Sequence, residues 1–517
     1  MKTKPKQNNQ NMTAIERIFN SLDLQSRGWI FKKDLEQGLA DRGILLDDVR
    51  IRQTADQLKK LKADEKVNAV IFAKLVRPHI TLIEKALTGN LVIPDFKNFS
   101  SFIINLYNRT IQNEEGSVSG EIPELANANP NQYALSICTV DGQRFNIGDY
   151  RASYLARSTA KFLNYCLAFE DQDQQTIYKS IGYGPKESEI DHIMLNKNGL
   201  PHNPFTNSGA LMIASMLYPK LAEKVRFEKV KKLWKEMSGN ISCGWNSNAF
   251  SSEKKNAGYD RALAYFMQKK GLLPKGSVDK HLEFLWQCQN IETTTEAQAV
   301  IGATLANAGA CPTNEKDVLK PNIARNCLSA MALAGMNEYS SEYNFSIGLP
   351  ATSGNSGVVV IVVPDVMGIA VWSPRVDGNG NGMKGLDFSR KFIERFNFHA
   401  FDSKIKNINK IDPRLKKNEI KMKSVMALTS AASIGDVDEL NRLYSVGVDL
   451  NEGEYDKRTG IHLAASEGHL EAVKFFIEKN ADINPKDRWG GTPITDAKRG
   501  GHKKVFELLK KHGGRES

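Results

Sequence analysis

The stretch Leu155–Tyr165, LARSTAKFLNY, decides how this chain is read. It places Ser158 three residues before Lys161 at the head of an apolar segment, FLNYCLAF, with the periodicity of a buried helix. Residues three apart share a helix face, so the hydroxyl and the amine can meet. A serine becomes nucleophilic only when a base takes its proton, and lysine serves as that base only when burial or neighbouring positive charge lowers its pKa. The bare spacing has little weight, because it recurs at Ser251/Lys254, Ser252/Lys255, Ser277/Lys280 and Ser403/Lys406. What surrounds Ser158 has to carry the reading.

Upstream, YALSICTVDGQRFNIGD (133–149) alternates apolar residues around Asp141–Gly142 and predicts a β-hairpin. Downstream, YNFSIGLPATSGNSGVVVIVVPDVMGIAVWSP (343–374) predicts three more strands. Its most apolar run is about fifteen residues long and is broken by Pro364 and Asp365, too short to span a bilayer, so two buried strands and a turn are expected. Long helical stretches lie between, which predicts a sheet with a helical cluster over roughly residues 86–402. The order of S-x-x-K early and a TSG (Thr352–Gly354) on a late strand resembles the penicillin-binding and β-lactamase arrangement, with Thr352 in place of the lysine.

On either side the chain changes character. Residues 13–85 are helical in pattern around DLQSRGWIFKKD (23–34), which has EF-hand spacing: Asp23 at loop position one, Gly28 at six, Ile30 at eight. The ligands fail, with Gln25 at three, Arg27 at five and the short Asp34 at twelve, so Arg27 is expected to supply the charge that calcium brings elsewhere. At the other end, TGIHLAASEGHLEAVKFFIEKNADIN (459–484) and TPITDAKRGGHKKVFELLKKHG (492–513) match at a step of thirty-three residues. Thr459 pairs with Thr492, Gly468 with Gly501 and His469 with His502, and one step back Ala431, Ala432, Gly435, Asp449 and Asn451 fall opposite Ala464, Ala465, Gly468, Asp482 and Asn484. This resembles ankyrin repeats over 421–517, joined by a linker at 403–420, with a concave side for a protein partner or a sister subunit. The histidines there are expected to cap the repeats.

Bulk properties exclude several classes. With 517 residues, 41% apolar and 25% charged, the chain is ordinary globular material for about three domains. The net charge of +11 is spread among acidic neighbours, as in EKKNAGYD, which argues against a nucleic-acid stripe. Six dispersed cysteines without a CxxC pair predict buried thiols in a reducing compartment, neither disulfides nor zinc, and no metal or cofactor is expected. Residues 1–12 are basic without an apolar core or an Arg/Ser-rich amphipathic pattern, which predicts a disordered tail, a cytoplasmic protein and no membrane segment.

The hairpin, ARSTAKFLNY, LNKNGLPHNPFTNSGALMIASML (195–217), LANAGACPTNEKDVLKPNIARN (305–326) and VVPDVMGIAVWSP together resemble the serine-dependent glutaminases. Through FNFHAFDSKIKNINKIDPR into the repeats, the whole order resembles animal kidney-type glutaminase. The resemblance implies an α+β, β-lactamase-like catalytic domain that hydrolyses glutamine, or a related small amide, to glutamate and ammonia through an acyl-enzyme. It implies Ser158 as nucleophile and Lys161 as base. It places Asn207, Glu253 and position 260 at the amino-acid end of the substrate, and the backbone N–H groups of Ser158 and Asn355 at the oxyanion. It also implies a homotetramer or a filament built from tetramers, with YGPKESEIDHIMLN (183–196) as the loop that couples assembly to activity.

Several positions depart from that pattern. Glu121 replaces the tyrosine of a YIP segment, Arg157 the glutamine before the serine, Asp260 an asparagine, and Leu285 and Asn337 two further tyrosines. Lost phenols remove hydrogen-bond donors and acids, each commonly worth about a hundredfold in rate. Two readings follow: a working amidohydrolase on glutamine or another small amide, and a glutaminase-shaped scaffold with little turnover.

Overall fold

The computed structural model describes residues 14–23, 25–62, 65–184, 195–274, 277–402, 410–445 and 447–516. The chain divides into two compact units, residues 1–414 and 415–517.

The first unit is built on a five-stranded antiparallel sheet. Its strands are β1 (Ala134–Thr139), β2 (Arg144–Gly148), β3 (Ala351–Ser353), β4 (Val358–Val363) and β5 (Met367–Trp372), in the order β2-β1-β5-β4-β3. The predicted hairpin and the three late strands are all present. β4 and β5 pair from Val358↔Trp372 to Val363↔Met367, and every residue of both is buried. That explains why VVVIVV shows no polar alternation: both faces of the sheet are covered. Leu135, Ile137, Val359, Ile361, Ile369 and Val371 join one core with phenylalanines of the flanking helices Phe96–Thr110 and Met383–Arg395. On the opposite face Ala134, Cys138, Val360 and Ala370 pack with Ala299 and Ala303 of the helix Thr295–Ala306. This approach is close enough to require glycine, since a Cβ on Gly368 would lie 2.2 Å from the Ala303 nitrogen.

Beyond the sheet lies the helical cluster that holds the site. Its helices include α1 (Ala160–Asp171), α2 (Asn207–Met216), α3 (Ser247–Asn256), α4 (Gly258–Lys269) and α5 (Val278–Gln289). Their apolar faces share one buried core that includes Phe162, Leu163, Cys166, Leu211, Leu263, Leu285 and Trp286.

The N-terminal helices dock on the turn of the β1–β2 hairpin. Arg50, paired with buried Asp48 at 2.7 Å, donates from Nη1 to the Asp141 carbonyl at 2.7 Å, and Gln143 reaches back to the carbonyls of Arg42 and Ile93. In the EF-hand-like loop, Asp23 accepts from the backbone N–H of Arg27 and Gly28, and the Arg27 guanidinium lies 3.7 Å from Asp23 and 3.8 Å from Asp34. Arginine thus neutralises both carboxylates, as its loop position suggested.

In the second unit the predicted repeat is realised in bonds as well as residues. His469 Nε2 lies 2.9 Å from the Ser433 carbonyl and His502 Nε2 2.9 Å from that of Ser466, one repeat apart, so these imidazoles tie each repeat to the one before. Gly435, Gly468 and Gly501 each hold positive φ (72°, 80° and 75°) at the helix end, where a left-handed residue closes the turn.

Candidate active site

Ser158 is positioned by a crossing of small elements. Tyr154–Leu155 pairs with Ile291–Thr293, and the Ala156 N–H donates to the Ile291 carbonyl at 2.8 Å. The backbone then turns through the left-handed region at Arg157 (φ 49°), an uncommon conformation for a residue with a side chain, costing about 1 kcal/mol or more. Thr159 secures the turn from the other side: its hydroxyl donates to the Ala156 carbonyl at 2.7 Å and accepts from Gln298 at 2.9 Å. Ser158 is left half-buried at the entry to α1. The β3–β4 turn lies beside it, at a distance where a Cβ on Gly354 would be in ordinary contact with the Ser158 nitrogen at 3.5 Å. The neighbouring backbone N–H of Asn355 has no acceptor among the described residues.

Lys161, the second residue of α1 and one turn past Ser158, is buried, and its Nζ donates to the Phe205 carbonyl at 2.9 Å and to Asn207 Oδ1 at 3.1 Å. Burial pushes its pKa down from 10.5 to about 8; Arg157 adds to the fall, while Glu121, Asp260 and Glu253 oppose it. The amine's hydrogen bonds thus go to neutral oxygens. Among the described residues no hydrogen bond joins Ser158 to Lys161, because the amine is drawn instead to the turn that starts α2.

Six of the residues singled out in the sequence converge beside this pair. Glu121, Asn207, Glu253, Asp260 and Leu285 line one cleft, and Arg157 enters it. The Arg157 guanidinium is 3% exposed and lies 2.8 Å from Glu253 and 3.0 Å from Glu121. Its Nε donates to Asn355 Oδ1 at 3.3 Å and its Nη1 approaches Asn290 Oδ1 at 3.5 Å. Burial raises the pKa of Glu253 despite Arg157 beside it, whereas the two carboxylates outweigh burial and raise that of Arg157, which stays charged. The free volume of the cleft is about 30 Å³, room for about two water molecules. Asp260 is held by the indole N–H of Trp286 at 2.9 Å.

Two positions grouped with the pocket in the sequence are placed otherwise. Thr352 is buried within β3, in register with Val360, and Asn337 spends its amide on the Asn379 carbonyl and on Asn381. Ile190, Ile193 and Met194 of the assembly loop lie outside the described residues. Sequence reasoning missed Asn290, fully buried, whose amide donates to Glu253, and the Phe205 carbonyl that holds Lys161. No local pattern marks a lone asparagine after a helix; only the packing of α5 against α3 gives it a role. Among the described residues no group of three or more His, Cys, Asp or Glu side chains is arranged to hold a metal ion.

An antiparallel sheet with a helical cluster, and a serine at a helix entry where the two meet, define a hydrolase of β-lactamase-like architecture. The glutaminase family pattern matches residues 116–401, an EF-hand pattern residues 14–94 and a three-copy ankyrin pattern residues 428–516. The liver-isoform mitochondrial glutaminase of Mus musculus is 34% identical over 90% of this chain and 79% of its own length. A putative glutaminase 2 of Caenorhabditis elegans is also 34% identical, over 98% of this chain and 86% of its own. Among solved structures, a probable glutaminase superposes with a TM-score of 0.54 at 26% identity, covering 58% of this chain and 97% of that one. The chain belongs to the glutaminase family, and its reaction is the hydrolysis of glutamine to glutamate.

Proposed function

We propose that this reaction runs through an acyl-enzyme on Ser158, with Lys161 as the proton carrier. Neutral Lys161 takes the hydroxyl proton as Ser158 Oγ attacks the side-chain amide carbon. The oxyanion is held by the N–H groups of Ser158 and Asn355. Collapse breaks the C–N bond, Lys161 returns the proton to the leaving nitrogen, and ammonia departs. A water then repeats the attack on the ester, releasing glutamate and restoring Ser158. The observation that carries this reading is the buried amine one turn from the serine, bonded to neutral oxygens and brought to about 8, so that about a tenth of it is neutral at pH 7. In the same reading Asn207 holds the substrate α-carboxylate and Glu253 its α-ammonium. The test is release of ammonia and glutamate from millimolar glutamine by wild type and by Ser158→Ala. Loss in the variant is expected, and equal activity in both removes Ser158 from the mechanism.

The finer assignments belong to the same proposal. Separate apolar cores, one running from Ile18 to Leu91 and one of the sheet and its flanking helices beginning at Ile93, support a division a few residues beyond the expected 86, with 403–420 as linker to the repeats. We place the protein in a reducing compartment, supported by six free cysteines, five of them buried; the cytoplasm is our assignment, and the mouse relative is described as mitochondrial. Among the described residues no helix is long and apolar enough to cross a membrane. Assembly into homotetramers or filaments and a protein partner on the ankyrin unit complete the proposal. Light scattering of the full chain checks the first, and a monomer at micromolar concentration would overturn it.

A further inference from the structure

The Glu253 carboxylate, the group that would receive the ammonium of an amino-acid substrate, already has a cation on it. That cation is Arg157, 2.8 Å away and 3% exposed. Four contacts hold its guanidinium: Glu253 and Asn290 on Nη1, Glu121 on Nη2, and Asn355 on Nε. A guanidinium has five N–H donors, so almost all of its capacity is used inside the cleft. The space left, about 30 Å³, takes water but not the head group of an amino acid.

We propose that Arg157 is a specificity-determining residue, a tethered cation that occupies the α-ammonium subsite and must be displaced before glutamine can bind. The inference rests on placing the substrate head group at Glu253 and Asn207. Glu121, at the half-exposed rim, is the outer of the two carboxylates that hold the guanidinium in place. Its neighbour Asp260 adds a third carboxylate to the cleft, so an ammonium that displaced Arg157 would meet anionic surroundings. The barrier to glutamine binding therefore comes from the occupant of the cleft, since its walls favour a cation.

The experiment measures glutamine binding by calorimetry in the Ser158→Ala background, with and without Arg157→Gln, and steady-state kinetics in the active background. Removing the guanidinium should tighten the Kd for glutamine at least tenfold and lower KM to match, with kcat changed less than about threefold when compared above pH 9, where the loss of the Arg157 charge that helps lower the Lys161 pKa matters least. The ratio of kcat/KM for glutamine over 4-carbamoylbutanoate, its counterpart without an ammonium, should rise at least tenfold, which a merely structural role would not produce. Glu121→Gln leaves no buried charge unpaired, so it remains informative if Arg157→Gln fails to fold. It loosens one side of the guanidinium and should lower KM severalfold. Unchanged or weaker glutamine binding in the soluble variants overturns the inference. Turnover by the Arg157→Gln/Ser158→Ala double variant would instead overturn Ser158 as nucleophile and leave the role of Arg157 standing.

Discussion

Replacing Lys161 with methionine should make the protein more stable at neutral pH while abolishing turnover. The unfolded lysine titrates near 10.5 and the buried one near 8. Between these two values the unfolded chain binds more protons than the folded one, so stability rises with pH there. Below pH 8 the full cost of burying the protonated amine is present; above about 10.5 it is gone. A difference of about 2.5 in pKa at 1.36 kcal/mol each gives about 3.4 kcal/mol at pH 7. Methionine fills similar space but forfeits the two bonds to the Phe205 carbonyl and to Asn207, an offset of about 2 kcal/mol at about 1 kcal/mol each. The net gain at pH 7 is therefore about 1 kcal/mol, turning to a loss of about 2 kcal/mol near pH 10.5. Scanning calorimetry of both full-length proteins from pH 7 to 10.5 measures this, through the transition of the catalytic unit. A difference between the two proteins that stays constant across that range would show that Lys161 is an ordinary amine, and the base assignment would fall with it.

The same group sets the rate. kcat/KM for glutamine should climb about tenfold from pH 7 to 9 with a midpoint near 8, and Glu121→Gln should move that midpoint downward, because the Glu121 charge opposes the effect of burial. A midpoint unmoved by the variant would separate Glu121 from the lysine electrostatically. At the sheet, Gly368→Ala should destabilise the catalytic unit by about 3 kcal/mol, since its methyl would overlap the Ala303 backbone. A melting temperature within a degree of wild type would mean that the helix Thr295–Ala306 can slide freely on the sheet.

Much of this protein is legible in order along the chain because the signals are local. Period-two patterning and the Asp141–Gly142 turn predict β1 and β2, and a repeat of thirty-three residues predicts the stacked helix pairs with their glycine ends and bridging histidines. S-x-x-K could be found by spacing, and the resemblance points to Asn207, Glu253 and position 260, which line one cleft. The tertiary structure alone decides what those residues do to one another. Arg157 is a sequence departure of unspecified effect until α3 brings Glu253 to it across ninety-six residues of chain. Lys161 becomes a candidate base only when α2 delivers the Phe205 carbonyl and Asn207 while the core strips its water away. Asn290 carries no local signal whatever. Periodicity records which face of an element is buried, but a pKa and an ion pair depend on the charges and solvent that distant segments supply, and those are fixed only by how the helices pack.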